Sequence, residues 1–359
     1  MKKRIAIVHD RLNVGGTEKV LISLLKYLDY TKYEVTLWLS DVSGPLQSEI
    51  DKRVIVIEYS NESIKTAALV KKYLKEREFA RIIPAVISKT KSRQNIKHFY
   101  KNLVYDILSL PYLDQMEYDA VIVYQGLYPS LLATALGRIK SKKKIAWIHM
   151  YFKHDDNSIE LFSSFYRKMD KIFCVSKDIK RHYDEVYGSV NNKSQVFYNI
   201  LNYEEMFEKS NEPIHIDENM PFLLTVGRLS PEKGTIQIPS IAKRLKNDGF
   251  CFKWLILGDG QERKKIEDLI AEYSLQNNVI LLGNVLNPYP YYKNCWLYVQ
   301  PSFSEGYCTS TLEAKSFGKL VVTTNVSGMN EQFTNGEDGI ICDKSENALY
   351  ESIKSLFEN

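Results

Sequence analysis

The sequence predicts an α/β protein of two doubly wound domains. At 359 residues the chain exceeds what one hydrophobic core usually holds, so two domains of about 150 to 200 residues are expected. Short apolar runs rich in β-branched residues alternate with amphipathic stretches long enough for helices, the pattern of parallel strands covered on both faces. That alternation breaks once, over the polar stretch 202–221 with Pro213 and Pro221, and then restarts.

In the first half the strand runs are Arg4 to Asp10, Tyr33 to Ser40, Val54 to Tyr59, Tyr118 to Tyr124, Lys144 to His149, Ile172 to Ser176 and Val196 to Ile200. In the second they are Phe222 to Val226, Trp254 to Leu257, Val279 to Leu282, Leu297 to Gln300, Leu320 to Thr324 and Gly339 to Cys342. The implied organisation is a domain over 1–200, a linker over 201–220 and a second domain over 221–359. Ligands of such sheets bind beyond the carboxyl ends of the strands, and two domains can face two such edges across a cleft.

Composition narrows the function. With 44% hydrophobic and 26% charged residues the chain is ordinary globular material. No stretch approaches the roughly 18 uncharged apolar residues of a spanning helix. The start Met1-Lys2-Lys3-Arg4 runs directly into a strand pattern, so export and membrane insertion are not expected. Five widely spaced cysteines without a Cys-x-x-Cys pair fit reduced thiols in a cytoplasm and no structural zinc. Charge is divided: residues 1–200 hold 33 Lys and Arg against 22 Asp and Glu, and the remainder 15 against 22. Eleven of the cations fall between Lys65 and Lys101, where an anionic partner is expected. No aromatic stacking platform is interleaved with them, which argues against nucleic acid.

Four loops after strands carry candidate chemistry. Gly15-Gly16, before a helix pattern, lets backbone amides approach an anion or is an ordinary tight turn. The Gly-x-Gly-x-x-Gly dinucleotide fingerprint is missing there, and no P-loop is present. Gly258-Asp259-Gly260 reads as a strand-to-helix turn. Arg228 and Lys233, five residues apart on a loop bounded by Gly227 and Gly234, can hold a diphosphate or stand as solvated surface charges. Glu305, Gly306, Tyr307 and Cys308 lead into a helix expected to begin near Thr309, whose first amides face anything docked over 306–308. Glu313 lies about 12 Å further along if the intervening span is helical. That is too far for the paired carboxylates of a retaining glycosidase, so two separate hydroxyl-binding roles fit better, with a structural helix-face role open for Glu313.

These residues together resemble the family 4 retaining glycosyltransferases of the GT-B fold, two Rossmann-like domains facing a cleft. The resemblance runs through Gly15-Gly16, His149 in Trp147-Ile148-His149, Val175-Ser176, Asn199, Gly227-Arg228 with Glu232-Lys233-Gly234, Gly258-Asp259-Gly260 and Glu305-x7-Glu313. It continues through Gly318, Gly328, Glu331, Gly336 and Gly339. It implies an acceptor-binding first domain and a second domain that binds a UDP- or GDP-sugar. Arg228 and Lys233 would hold the diphosphate, Glu305 the sugar hydroxyls and Glu313 the ribose. Amides of Gly306, Tyr307 and Cys308, with Gly15 and Gly16, would surround sugar and phosphates. His149 would line the reaction centre, beside Glu305, Arg228 and Lys233 as catalytic residues. His9 and His154 have weaker claims.

The chain holds no strict Asp-x-Asp, so transfer without metal or other cofactor is expected. The expected acceptor is a saccharide, lipid-linked and destined for surface polysaccharide. The basic segment 65–101 would rest on an anionic membrane surface, giving a cytoplasmic protein peripheral at the inner face. Alternative readings are a GT-B nucleotide-sugar epimerase and a nucleotide-sugar-binding protein without catalysis. The resemblance departs at Tyr307-Cys308-Thr309-Ser310, where aromatic-glycine-leucine-proline is commoner. It departs also at Asn359, reached after one helix pattern (Ala348 to Phe357), where a further helix crossing back to the first domain is usual, so weaker interdomain closure is an expectation.

Overall fold

The structure, a computed structural model, describes residues 1–61, 66–76, 81, 104, 106–190, 192–214 and 221–358. By contact density the chain forms two units. The first comprises Met1–Asn13, Leu24–Val175 and Ile179–Tyr198; the second comprises Asn199–Asn359 together with Val14–Ser23 and Ser176–Asp178.

The first unit is built on a seven-stranded parallel sheet of order β3-β2-β1-β4-β5-β6-β7. Its strands are β1 (Lys3–Arg11), β2 (Tyr33–Asp41), β3 (Ile55–Glu58), β4 (Glu117–Val123), β5 (Lys140–Ile148), β6 (Lys171–Cys174) and β7 (Ser194–Val196). Helices α1 (Gly16–Tyr27), α2 (Thr66–Glu76), α3 (Pro129–Arg138), α4 (Asp156–Tyr166) and α5 (Lys177–Tyr187) fall between the strands in the chain. Two strands differ from the expectation by more than two residues at one end. β5 begins at Lys140, four residues early, because Lys142 and Lys143 extend a ladder while pairing outward with Asp119 and Asp170 at 2.8 and 3.1 Å, which hides the strand behind a polar run. β7 ends at Val196 because the chain leaves the sheet there: Phe197 turns onto Trp147 at 4.7 Å between ring centroids, and Asn199 already belongs to the second unit.

The basic stretch 65–101 lies largely outside the described residues. Of its cations Arg81 is buried, donating to the Leu110 and Gly137 carbonyls and stacking on Tyr112 at 3.6 Å, so it serves the interior of this unit rather than an external anion. Among the described residues no helix is long and apolar enough to cross a membrane.

The second unit holds a six-stranded parallel sheet of order β10-β9-β8-β11-β12-β13. These strands are β8 (Phe222–Val226), β9 (Lys253–Leu257), β10 (Val279–Gly283), β11 (Leu297–Gln300), β12 (Leu320–Thr324) and β13 (Ile340–Cys342). Its helices are α6 (Tyr203–Lys209), α7 (Ile238–Asn247), α8 (Arg263–Glu272), α9 (Tyr289–Asn294), α10 (Thr309–Ser316), α11 (Met329–Gln332) and α12 (Glu346–Glu358). Alternate strand residues feed two cores. Leu223, Trp254, Ile256, Leu297 and Val299 pack with Ile241 of α7 and Leu349 of α12, while Phe222, Leu224, Leu255, Leu257 and Tyr298 pack with Tyr292 of α9 and Ala314 of α10. That two-residue period is why each strand reads as continuously apolar.

In both sheets the strand order reverses direction once, between β1 and β4 in the first and between β8 and β11 in the second. Crossovers leaving such a pair go to opposite sides and open a crevice beyond the strand ends, where ligands bind. In the second sheet that crevice is shaped by backbone pairing between the loops after β8 and β9. Gly227 N–H donates to Leu257 O at 2.9 Å, Leu229 N–H to Asp259 O at 3.0 Å, and Glu262 N–H to Leu229 O at 3.0 Å. Gly258 makes the approach possible: its φ is +136°, and a Cβ there would stand 1.9 Å from Gly227 O. Gly258→Ala is therefore expected to cost about 3 kcal/mol in urea denaturation, combining backbone strain with a clash that only main-chain movement relieves.

Candidate functional site

The loop after β8 turns through a single 3-10 turn, Pro231–Lys233, and closes at Gly234. Gly234 is left-handed, with φ +63°, and a Cβ on it would meet Pro301 O at 2.1 Å, so only glycine lets this turn touch the segment after β11. The Glu232 carbonyl accepts from the Phe303 and Ser304 amides at 2.9 and 3.1 Å, and Gln237 Nε2 donates to Pro301 O at 3.1 Å. Two loops that are remote in sequence are thus locked together beside the strand reversal.

Their lock places Lys233 on Glu305. The Lys233 ammonium lies 2.7 and 2.9 Å from the two carboxylate oxygens, with side-chain exposures of 18% and 7%. Ser302 Oγ also donates to Glu305 at 2.7 Å, Gln300 Nε2 donates to Ser302 Oγ at 2.8 Å, and Tyr298 OH donates to Gln300 at 2.6 Å. Residues 298, 300 and 302 share one face of the extended segment, which aligns them into a buried polar chain ending at the carboxylate. Burial, the largest single influence, pushes the Lys233 ammonium down, but the Glu305 charge, the neighbouring Cys308 and the hydrogen bond to Glu305 together outweigh it and leave Lys233 above the ordinary lysine value. Arg228 differs: its side chain is 62% exposed, and its guanidinium rests 3.4 Å from Glu232 one loop turn away.

Beyond Glu305, three successive carbonyls are claimed by side-chain donors. Gly306 O accepts from Ser176 Oγ at 3.1 Å, Tyr307 O from Asn199 Nδ2 at 3.0 Å, and Cys308 O from Thr311 Oγ1 and Gln332 Nε2 at 2.9 and 3.1 Å. In a trans peptide the following N–H points the opposite way, so the Tyr307, Cys308 and Thr309 amides are directed away from these donors. Cys308 caps α10 (Thr309–Ser316) without a side-chain bond, and the positive end of the helix dipole adds to those amides. Burial first, and then the charge of Glu305, pushes the Cys308 thiol up to about 12, so it fills space and does not react. Tyr307 also lines a separate open hollow with Leu312, Lys315 and Glu331.

Residues 14–23 of the second unit bring Gly15 and Gly16 to this helix. A Cβ on Gly16 would stand 2.5 Å from Thr309 Oγ1. One turn further along each helix, Lys19 Nζ lies 3.8 Å from the Glu313 carboxylate, which is 3% exposed, and 5.4 Å from the centre of the Tyr289 ring. Arg228, Lys233, Glu305, Gly306, Tyr307, Cys308, Glu313, Gly15 and Gly16 therefore all belong to one unit. Lys19 is the residue that sequence reasoning missed. The available signal was its position one helical turn after Gly16, yet a lysine in an amphipathic helix ordinarily reads as a solvated face.

His149 belongs to the first unit, just past β5. Its ring lies 4.5 Å from Tyr124 and stacks 5.6 Å from Trp147, with a buried Nε2 that has no hydrogen-bond partner among the described residues. His9 lies near the carboxyl end of β1, its ring 6.1 Å from Tyr124, while His154 bonds Tyr187 OH at 2.5 Å and stacks on Phe162, a packing role. Burial, with a smaller contribution from His9, lowers the His149 pKa to about 3.

Two outcomes follow from these environments. Lys233→Ala strands a buried carboxylate and is expected to cost about 3 kcal/mol, whereas the double variant with Glu305→Gln costs less than Lys233→Ala alone, both read by urea denaturation. His149 is neutral when folded but takes a proton when unfolded below its ordinary value of 6.5, so its share of stability is present above pH 6.5 and is lost as pH falls toward about 3. Between pH 7 and 5 this removes about 2 kcal/mol, at about 1.4 kcal/mol per pH unit below 6.5, and His149→Phe flattens that limb.

Comparison with known proteins agrees with this geometry. The family model described as Glycosyltransferase Family 4 matches residues 14–205, and that described as Glycosyl transferases group 1 matches residues 206–359. The chain is 27% identical over 366 residues to a Campylobacter jejuni N-acetylgalactosamine-N,N'-diacetylbacillosaminyl-diphospho-undecaprenol 4-alpha-N-acetylgalactosaminyltransferase, covering 99% of this chain and 91% of that one. Among solved structures it superposes on Anabaena Alr3699/HepE in complex with UDP and glucose with a TM-score of 0.68 at 16% identity, covering 99% of this chain and 90% of that one. It superposes on a variant of S. aureus TarM in complex with fondaparinux, alpha-GlcNAc-glycerol and UDP with a TM-score of 0.72 at 16% identity, covering 99% and 93%. With its two parallel sheets this is the GT-B fold, and the chain belongs to glycosyltransferase family 4.

Proposed function

We propose that this glycosyltransferase moves a sugar, with retention of anomeric configuration and without a metal, from a UDP- or GDP-sugar to a lipid-linked saccharide in surface polysaccharide biosynthesis. The observation that carries the reading is the Lys233–Glu305 pair beside the outward amides at the start of α10, with Arg228 on the same loop as Lys233. Breaking the anomeric C–O bond separates an oxocarbenium-like sugar from a diphosphate, and fixed positive charge on that leaving group lowers the barrier. Lys233 and the amides supply a preorganised part of it. Arg228, exposed and paired with Glu232 on its own loop, can swing onto a phosphate as a bidentate donor.

The retaining reading is supported by how the carboxylates are engaged. Glu305 is held by Lys233 and Ser302, and Glu313 is paired with Lys19, so both are fixed as hydroxyl acceptors, for the sugar and the ribose respectively, rather than as a base for in-line attack. The acceptor oxygen bonds to the anomeric carbon from the side the diphosphate leaves, and its proton passes to a phosphate oxygen of that leaving group. His149 takes part as a neutral imidazole near pH 7, able to offer a hydrogen bond but not to act as an acid.

The first unit is then the acceptor side and the second the donor side. The lipid-linked acceptor is supported by the C. jejuni relative, whose name specifies an undecaprenol-linked substrate. UDP as the nucleotide is supported by the two superposed structures that contain it. A lipid-linked acceptor places the enzyme in the cytoplasm at the inner membrane face.

Thermal-shift titration tests the donor assignment, because a ligand of the folded state raises the melting temperature. UDP or GDP is expected to stabilise the protein equally with and without EDTA. Arg228→Ala weakens that nucleotide's affinity by about tenfold, the equivalent of one lost charge-assisted bond. Loss of stabilisation in EDTA sinks the metal-free reading, and unchanged affinity in both Arg228→Ala and Lys233→Met sinks the diphosphate assignment.

A further inference from the structure

We propose that Lys19 is a positioning residue of the nucleotide site, fixing the Glu313 carboxylate so that its remaining acceptor positions face two ribose hydroxyls. The inference rests on the reading of Glu313 as the ribose carboxylate and adds the element that makes it competent.

Glu313 is almost fully buried on the second turn of α10. An anion removed from water to that degree needs compensating charge nearby, or its burial works against folding. Lys19 provides that charge, being itself only 18% exposed. At 3.8 Å its ammonium attracts the carboxylate without a short, saturating hydrogen bond. A carboxylate has about four acceptor positions, so such a contact leaves most of them for a ligand.

The position of Lys19 is over-determined. Gly16 abuts Thr309 one turn earlier, which fixes the register of the two helices, and the Tyr289 ring lies 5.4 Å from the ammonium as a cation–π partner. Tyr292, fully buried, has its hydroxyl proton held well above the ordinary tyrosine value by burial first and then by the charge of Glu313. The wall behind the carboxylate is thus aromatic and water-poor, and Lys19 is the cation paired with it.

The test is calorimetric titration of UDP and GDP, each beside its 2′,3′-dideoxy analogue, into wild type, Lys19→Met, Lys19→Arg and Glu313→Gln, with thermal melts confirming that each variant is folded. Wild type is expected to bind the hydroxylated nucleotide about tenfold more tightly than the dideoxy form, as hydrogen bonds to a charged group warrant. Lys19→Met loses that preference while binding the dideoxy form as wild type does, and Lys19→Arg retains most of it. A preference that survives in Lys19→Met, or an equal loss for both nucleotides, overturns the assignment of Lys19 alone. Absence of any preference in wild type overturns the ribose reading of Glu313 together with it.

Discussion

The ion pair between Lys233 and Glu305 is the contact on which the rest of the candidate site in the second unit depends. It joins the loop after β8 to the loop after β11, the two strands where the order of the second sheet reverses. A pair so little exposed contributes little net stability by its own attraction, since removing both charges from water offsets much of it. Its value is geometric. With Ser302, Gln300 and Tyr298 behind it, the carboxylate has one place to be, and so does the ammonium that neutralises it.

Much of this was legible from residues alone. Strand positions in the second unit followed from apolar runs because both faces of that sheet are covered, and the helix after Cys308 began at Thr309 as its pattern implied. The β5 and β7 end of the first sheet was less legible. At β5 the outward lysines disguised a ladder, and at β7 the apolar run continues past the last paired strand residue, Val196, with Phe197 only partly covered against Trp147.

The candidate site divides in the same way. Arg228, Lys233 and Glu305 could be named as candidates because they stand on loops after strands, and the family resemblance rather than spacing singled them out from solvated surface charges. Their partners could not be named, since nothing in the local spacing says that Lys233 reaches a carboxylate seventy-two residues away or that Lys19 finds Glu313. Two cations that looked equivalent are also separated by structure: Lys233 is locked, and Arg228 is exposed on the same turn. Such long-range pairing depends on strand order, which periodicity does not reveal.

The division of the chain into units has a practical corollary for anyone wishing to dissect it. A fragment cut after Tyr198 would look like a self-contained nucleotide-binding module by its sheet and its cores, yet it would lack Val14–Ser23 and Ser176–Asp178. It would lose the glycine that seats against Thr309, the lysine beside Glu313 and the serine hydroxyl on Gly306. Sequence boundaries and physical boundaries do not coincide here, and the second unit is stitched from three separate stretches of polypeptide.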